Sequence, residues 1–240
     1  MNWVGGGCLF EREHHRRIAA VLGTLDAQVL AAHACWFGGG TAMALRYGEY
    51  RESVDIDFLV SDLRGYRALR TLLTGPAGFS ALVRPGGVLT PLRELRADQY
   101  GLRTLVGEDG LPIKFEIVLE ARIAFETPGP SDVIAGVAAL TPLDLAAGKL
   151  LALADRWRDD GVFSRDLIDL AMMQPAKPLL RAAIAKAASA YGDSVEASLS
   201  KAVQDLRERP HRLDVCMGAM QMTTLSKAQL WARIKALEKR

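Results

Sequence analysis

Phe37-Gly38-Gly39-Gly40-Thr41 and, a short stretch later, Ser53-Val54-Asp55-Ile56-Asp57-Phe58-Leu59-Val60 set a glycine turn beside two carboxylates. The second segment alternates polar and apolar residues, which predicts a half-buried strand. On such a strand Ser53, Asp55 and Asp57 share one face, while Val54, Ile56 and Phe58 point into a core. Two carboxylates held this close repel unless a cation lies between them, and hard oxygen ligands suit Mg²⁺ bridging substrate phosphates. The apolar Ala34-Cys35-Trp36-Phe37 before the glycines and the helix-like Thr41 to Tyr47 after them complete a strand, turn, helix order. Backbone N–H groups at Gly39, Gly40 and Thr41 would then face an anion such as a triphosphate. The dinucleotide fingerprint Gly-x-Gly-x-x-Gly is absent, so the turn does not read as a dinucleotide site.

Working outward, apolar positions at helical spacing predict one amphipathic helix over 12–34, with His14 and His15 on its solvated face. A helix is expected over 62–73 with Asp62 near its start. Strands are expected at 79–83, 99–106 and 113–119, with a hairpin turn at 107–110. On the last strand Lys114 and Glu116 share a face. Glu116 either completes the metal-binding set or forms a solvated pair with Lys114. The run Thr127-Pro128-Gly129-Pro130-Ser131 reads as a linker between a sheet domain, 1–126, and a helical domain, 131–240. Thr141 is placed to cap a helix opened by Pro142, with Asp144 returning the cap. Further helices are expected over 164–173, 178–190, 194–207 and 226–239.

Lys149 is flanked at helical i±3 and i±4 spacing by Leu145, Ala146, Ala152 and Leu153, so it does not lie on a simple solvated face. It either snorkels or reaches the β- and γ-phosphates of a nucleotide, and Arg156, two turns on, projects from the same side. Asp166 and Asp169, at i and i+3 on the next helix, are either their ion-pair partners or part of the site.

Together these segments resemble the AbiEii/AbiGii (MenT-type) nucleotidyltransferase toxin family of the DNA polymerase beta-like nucleotidyltransferase superfamily. The likeness runs from about Trp36 to Leu170: Gly-Gly-Thr, then Asp55-Ile56-Asp57, then Thr141-Pro142-Leu143-Asp144 through Lys149 and Arg156, then Arg165-Asp166-Leu167-Ile168-Asp169. It implies an α/β (α+β) nucleotidyltransferase core with a small mixed sheet, followed by a C-terminal helical bundle. It also implies metal aspartates at Asp55 and Asp57, a polar nucleotide contact at Ser53, a nucleotide-binding Lys149 and a catalytic Asp166. The implied activity is transfer of a nucleoside monophosphate from an NTP to an RNA acceptor, the tRNA 3′ end, with Mg²⁺. Such a toxin would be countered by a cognate antitoxin protein in a toxin–antitoxin or phage-exclusion pair. The last seventy or so residues carry no placed motif.

A chain of 240 residues, half of them hydrophobic, can bury a core of its own. A net charge of +2 supplies no general affinity for nucleic acid, so an RNA contact must be a local patch, with Arg84, Arg93, Arg96, Arg103, Lys177 and Arg181 available. Cys8, Cys35 and Cys216 have no close pairing and fit reduced thiols of a cytoplasmic protein. No run is long and apolar enough to span a membrane. Transfer to a small molecule or a protein side chain, and a non-catalytic partner-binding module, remain as other functions the motifs allow.

Overall fold

A computed structural model describes residues 10–107 and 111–238 of the chain. Helices α1 (Glu13–Thr24) and α2 (Ala27–Ala32) precede β1 (Cys35–Phe37), α3 (Gly39–Arg46), β2 (Ile56–Val60) and α4 (Leu63–Thr74). Strands β3 (Arg96–Ala97), β4 (Gly101–Val106) and β5 (Ile113–Leu119) follow, then a small hairpin, β6 (Val133–Ile134) and β7 (Val137–Ala138). The remainder is helical: α5 (Pro142–Arg156), α6 (Arg165–Met173), α7 (Lys177–Tyr191), α8 (Ser194–Glu208), α9 (Arg212–Ala219) and α10 (Lys227–Ala236).

The main sheet has the order β1-β2-β5-β4-β3, with β2 and β5 parallel and the other pairs antiparallel. Alternation divides its two faces. Ile56, Phe58 and Val60 on β2 and Ile113, Phe115 and Ile117 on β5 point into the core, where Phe58 stacks between Phe37 and Phe115 at 5.6 Å from each. Tyr66, Leu69 and Leu73 bring the apolar stripe of α4 into this core. The opposite face carries Asp57 and Glu116.

The strand expected from Ser53 begins at Ile56, and Val54 is exposed rather than inward. The residues before Ile56 belong instead to a loop tied to α1, α3 and the end of α9. The single leading helix is two helices, because Asp26 N–H bonds the Leu82 carbonyl and the Asp26 carboxylate caps α2 through Gln28 and Val29 N–H. The expected strand at 79–83 is a 3₁₀ turn, Gly78–Leu82. Phe79 and Leu82 are both buried, and the i, i+3 spacing of that turn places them on one side.

The β6–β7 hairpin and α9 were not legible as elements. The expected turn at 107–110 falls largely outside the described residues. Thr141 caps α5 as expected, accepting from Asp144 N–H at 3.2 Å, and the Asp144 carboxylate accepts from the Thr141 hydroxyl at 3.0 Å, from Glu126 N–H and from the Lys186 ammonium rather than from the Thr141 backbone N–H of a capping box. Buried apolar side chains form one cluster running from Phe10 to Leu237.

Candidate active site

The parallel register of β2 and β5 sets Asp57 directly beside Glu116, while Asp55 sits one step before β2 on the same wall. Gly39, with φ +68°, packs so closely on the Asp57 carboxylate that a Cβ at that position would overlap it. A Cβ at Gly40 would meet the Arg51 guanidinium in the same way. The glycine run therefore lets α3 begin against the carboxylates. Gly38 N–H donates to the Asp57 carbonyl at 2.8 Å, tying the turn to β2.

Asp57 is pushed up to about 6, first by burial, then by the neighbouring Asp55 and Glu116, against the pull of Lys114 and Lys149. The three carboxylates thus crowd into one field. Glu116 is already engaged at both oxygens, by Arg103 at 2.9 Å and Lys114 at 2.5 Å. As a metal ligand it would have to exchange a partner. Its own register across β4 and β3 continues the row: Arg103 lies opposite Glu116, and Arg96 opposite Arg103.

The facing wall is helical. Lys149 on α5 is buried and bonds Asp169 at 2.6 Å and Asp166 at 3.2 Å, both from α6. Arg156 grips Asp166 through Nε (2.7 Å) and Nη2 (2.9 Å). Asp169, fully buried, also receives Arg51 through Nε and Nη2 and the Tyr50 hydroxyl at 2.6 Å. Both aspartates thus pair with Lys149, and Asp166 with Arg156 as well. The two carboxylates engage two of the three Lys149 N–H groups.

A cleft of about 370 Å³ opens between the two walls. Gly39, Gly40, Ser53, Asp55, Asp57, Glu116, Lys149, Arg156 and Asp166 all line it. Thr41 does not. It is fully buried beneath the turn, where its hydroxyl donates to the Asp55 carbonyl at 2.5 Å and lies 2.8 Å from the Ser53 hydroxyl. It shapes the loop rather than presenting itself to a ligand.

Sequence reasoning missed Tyr50, Arg51 and His15. His15, expected on a solvated face, is fully buried against the Ser53 loop. The one signal for Arg51 was its place two residues before Ser53.

The sequence profile described as nucleotidyl transferase AbiEii toxin, type IV toxin–antitoxin system, matches residues 21–236. The chain belongs to the AbiEii nucleotidyltransferase toxin family. No curated protein matches it. A Helicobacter pylori crystal structure provisionally assigned as a nucleotidyltransferase is similar with a TM-score of 0.53 at 16% identity, over 96% of each chain. JHP933 from Helicobacter pylori gives a TM-score of 0.53 at 16% identity, over 96% of this chain and 94% of its own. MenT4, a nucleotidyltransferase toxin from Mycobacterium tuberculosis H37Rv, gives 0.48 at 18% identity, over 94% and 84%. The first two likenesses are those of fold.

An AbiEii nucleotidyltransferase is expected to use a divalent metal, and the donor chemistry here fits one. Asp55 and Asp57 are hard oxygen donors, and burial with the neighbouring carboxylates disfavours ionisation of Asp57. Among the described residues no three His, Cys, Asp or Glu side chains converge to hold a metal by themselves. The pair therefore suits a cation whose remaining ligands come from water and substrate phosphates. Among the described residues no helix is long and apolar enough to cross a membrane.

Proposed function

We propose that this member of the family transfers a nucleoside monophosphate from an NTP to the 3′ end of an RNA, most concretely a tRNA, and thereby acts as a toxin. The observation that carries the reading is the cleft itself, with loop-borne Asp55 and strand-borne Asp57 on one wall and helix-borne Lys149 and Arg156 on the other. In this reading the part up to residue 126 supplies the carboxylates and the part from 131 supplies the cations. Asp55 and Asp57 would hold Mg²⁺, which when bound would neutralise charge on the triphosphate. Lys149 and Arg156, set in place by Asp166 and Asp169, face the β- and γ-phosphates. Backbone N–H groups of Gly39 and Gly40 lie under the same anion. An acceptor hydroxyl forms the new O–P bond at the α-phosphorus, the α–β bridging bond breaks, and pyrophosphate leaves. The hydroxyl proton passes to the carboxylate cluster, with Glu116 keeping that cluster in register. Positioning and electrostatics supply the acceleration, as for phosphoryl transfer generally.

The acceptor would run along the open sheet face. Asp57, Glu116, Arg103 and Arg96 are successive cross-strand neighbours. At the usual strand spacing that row puts Arg96 about 14 Å from Asp57. Arg96 is exposed and has no carboxylate partner among the described residues, so it is placed to meet an RNA phosphate. Arg96→Ala is expected to weaken binding of a labelled tRNA and to lower the salt slope by about one phosphate contact, leaving NTP binding unchanged. An unaltered salt slope would remove Arg96 from the acceptor path.

The reading as a whole is tested by incubating the protein and Mg²⁺ with each labelled NTP and total bacterial RNA. Label in tRNA with release of pyrophosphate is the expected result. Label confined to protein or to a small molecule would replace RNA as the acceptor, and no labelled species at all would count against catalysis.

A further inference from the structure

The loop that delivers Asp55 is held from the N-terminal side by a helix. His15 on α1 has no exposed surface. Its Nδ1 lies 2.7 Å from Glu49 Oε1, and its Nε2 accepts the Ser53 backbone N–H at 3.1 Å. The adjacent His14 reaches the Val54 carbonyl through Nε2 at 3.0 Å. Glu49 is itself fixed, receiving Glu11 N–H at 2.7 Å and Arg12 N–H at 3.2 Å. Beyond Ser53, the Thr41 hydroxyl holds the Asp55 carbonyl, and on the other flank Glu52 N–H bonds the Met220 carbonyl at 3.1 Å. The segment from Glu49 to Asp55 is therefore tied down at nearly every residue. A shift at the Ser53 amide passes directly to Asp55, two residues on.

We propose that His15 is a positioning residue for the transfer reaction, setting the Ser53–Asp55 backbone through its Nε2 lone pair from a helix that begins outside the span matched by the family profile. This rests on Asp55 belonging to the catalytic pair.

The partners dictate the tautomer. An ionised Glu49 can only accept, so the proton sits on Nδ1 and Nε2 is left as the acceptor for Ser53. Removing that acceptor leaves a half-buried amide unpaired, and the loop must move to satisfy it. An imidazolium is equally unsuited, because it would aim a second N–H at the Ser53 N–H. The groups facing the ring oppose one another. Burial acts first, holding His15 below the ordinary histidine range. Glu49 pulls towards the charged form, and Arg12 and His14 oppose it. A lowered folded value means that the neutral contact is complete above the unfolded value and is lost as pH falls through the folded one.

The test uses the full-length protein and three measurements. Long-range nitrogen–proton NMR on the parent should show His15 as the Nδ1–H tautomer at pH 7.5, with its titration reported by the Ser53 amide. Incorporation from labelled NTPs into total RNA with Mg²⁺ should fall about tenfold or more in kcat for His15→Phe, which keeps the ring shape and loses the acceptor, while KM for the NTP stays put. His15→Gln, which offers an acceptor near the Nε2 position and cannot titrate, should recover most of the rate. It should also lose the part of the parent's fall in rate on acidification that follows His15, and keep the part that follows Asp57.

An Nε2–H tautomer or an imidazolium at pH 7.5 would overturn the proposal, whether or not His15→Phe folds. So would parental kcat in a folded His15→Phe, or a His15→Gln protein as slow as the Phe variant. Retained transfer by Asp55→Asn is a separate outcome. It would overturn the catalytic reading of the site and leave the hydrogen bond, as read by NMR, standing.

Discussion

Asp57→Asn is expected to abolish nucleotide transfer and, in the metal-free protein at pH 7, to raise stability. The two effects have one cause. Asp57 sits on the cleft wall where burial, Asp55 and Glu116 push it up to about 6. A carboxyl whose folded value is raised above its unfolded value binds its proton more tightly in the fold. Ionising it then costs folding free energy, with no cost below about pH 4 and the full cost above about pH 6. A rise from the ordinary carboxyl value near 4 to about 6 bounds that cost at roughly 3 kcal/mol, and relaxation of the cleft should leave about 1–2 kcal/mol to be recovered by the neutral amide. For a chain of this size the thermal midpoint would rise by about 2–4 °C per kcal/mol. Mg²⁺ with an NTP should narrow the gap by stabilising the parent alone, since a ligand raises the midpoint only of the form that binds it. Transfer and growth arrest should both be lost, because under the proposed function the cation would lose one of its two protein carboxylates. A dead variant that is less stable than the parent at pH 7 and unchanged at pH 4 would contradict the crowding of Asp57. An active one would end its assignment to the metal.

What the sequence made legible was whatever depends on local pattern. The alternation from Ile56 to Val60 and from Ile113 to Leu119 placed Asp57 and Glu116 on one face, and the parallel register makes them neighbours. The Asp62 and Thr141 caps and the apolar spacing of α5 to α8 were also readable. What was not readable depends on partners distant along the chain. Leu25 and Asp26 break the first helix because the 3₁₀ turn at Gly78–Leu82 and Val83 after it pair with them. Phe79 to Val83 carries apolar residues that suit a strand, yet it closes into a turn around Phe79 and Leu82. Adjacent histidines on an amphipathic helix say nothing of Glu49 and Ser53, which lie 34 and 38 residues away. Thr41, next to the glycines, looked like a phosphate contact. It is turned inward because the Asp55 carbonyl and the Ser53 hydroxyl await it under the loop.

Asp169→Ala is expected to be the most destabilising of the single substitutions at the site, by about 3–5 kcal/mol, because it strands two buried cations. Arg51 and Lys149 are both nearly buried, and Tyr50 donates to the same carboxylate. With Asp169 gone, Arg51 keeps, among the described residues, the Glu52 carbonyl alone, and Lys149 must share Asp166 with Arg156. A loss of that size is a large fraction of the stability of an ordinary domain, about 5–15 kcal/mol, so the protein should unfold well below the parental midpoint. Asp169→Leu would be no kinder, whereas replacing Arg51 as well should restore part of the loss, since removing both partners destabilises less than stranding one.

The pH dependence runs opposite to that at Asp57. Burial alone would raise Asp169, yet Arg51 and Lys149 outweigh it and hold the carboxyl well below the ordinary range. A depressed folded value gives stability that is complete above the unfolded value, near pH 4, and drains away as pH falls further. The parent should therefore lose stability steeply below about pH 4, and Asp169→Ala, already without the pair, should show a shallower acid limb. Chemical denaturation from about pH 2.5 to 7 measures both. A loss under about 1 kcal/mol at pH 7, or acid limbs of equal slope, would mean that the cations find other partners and that Asp169 does not hold the Lys149 wall in place.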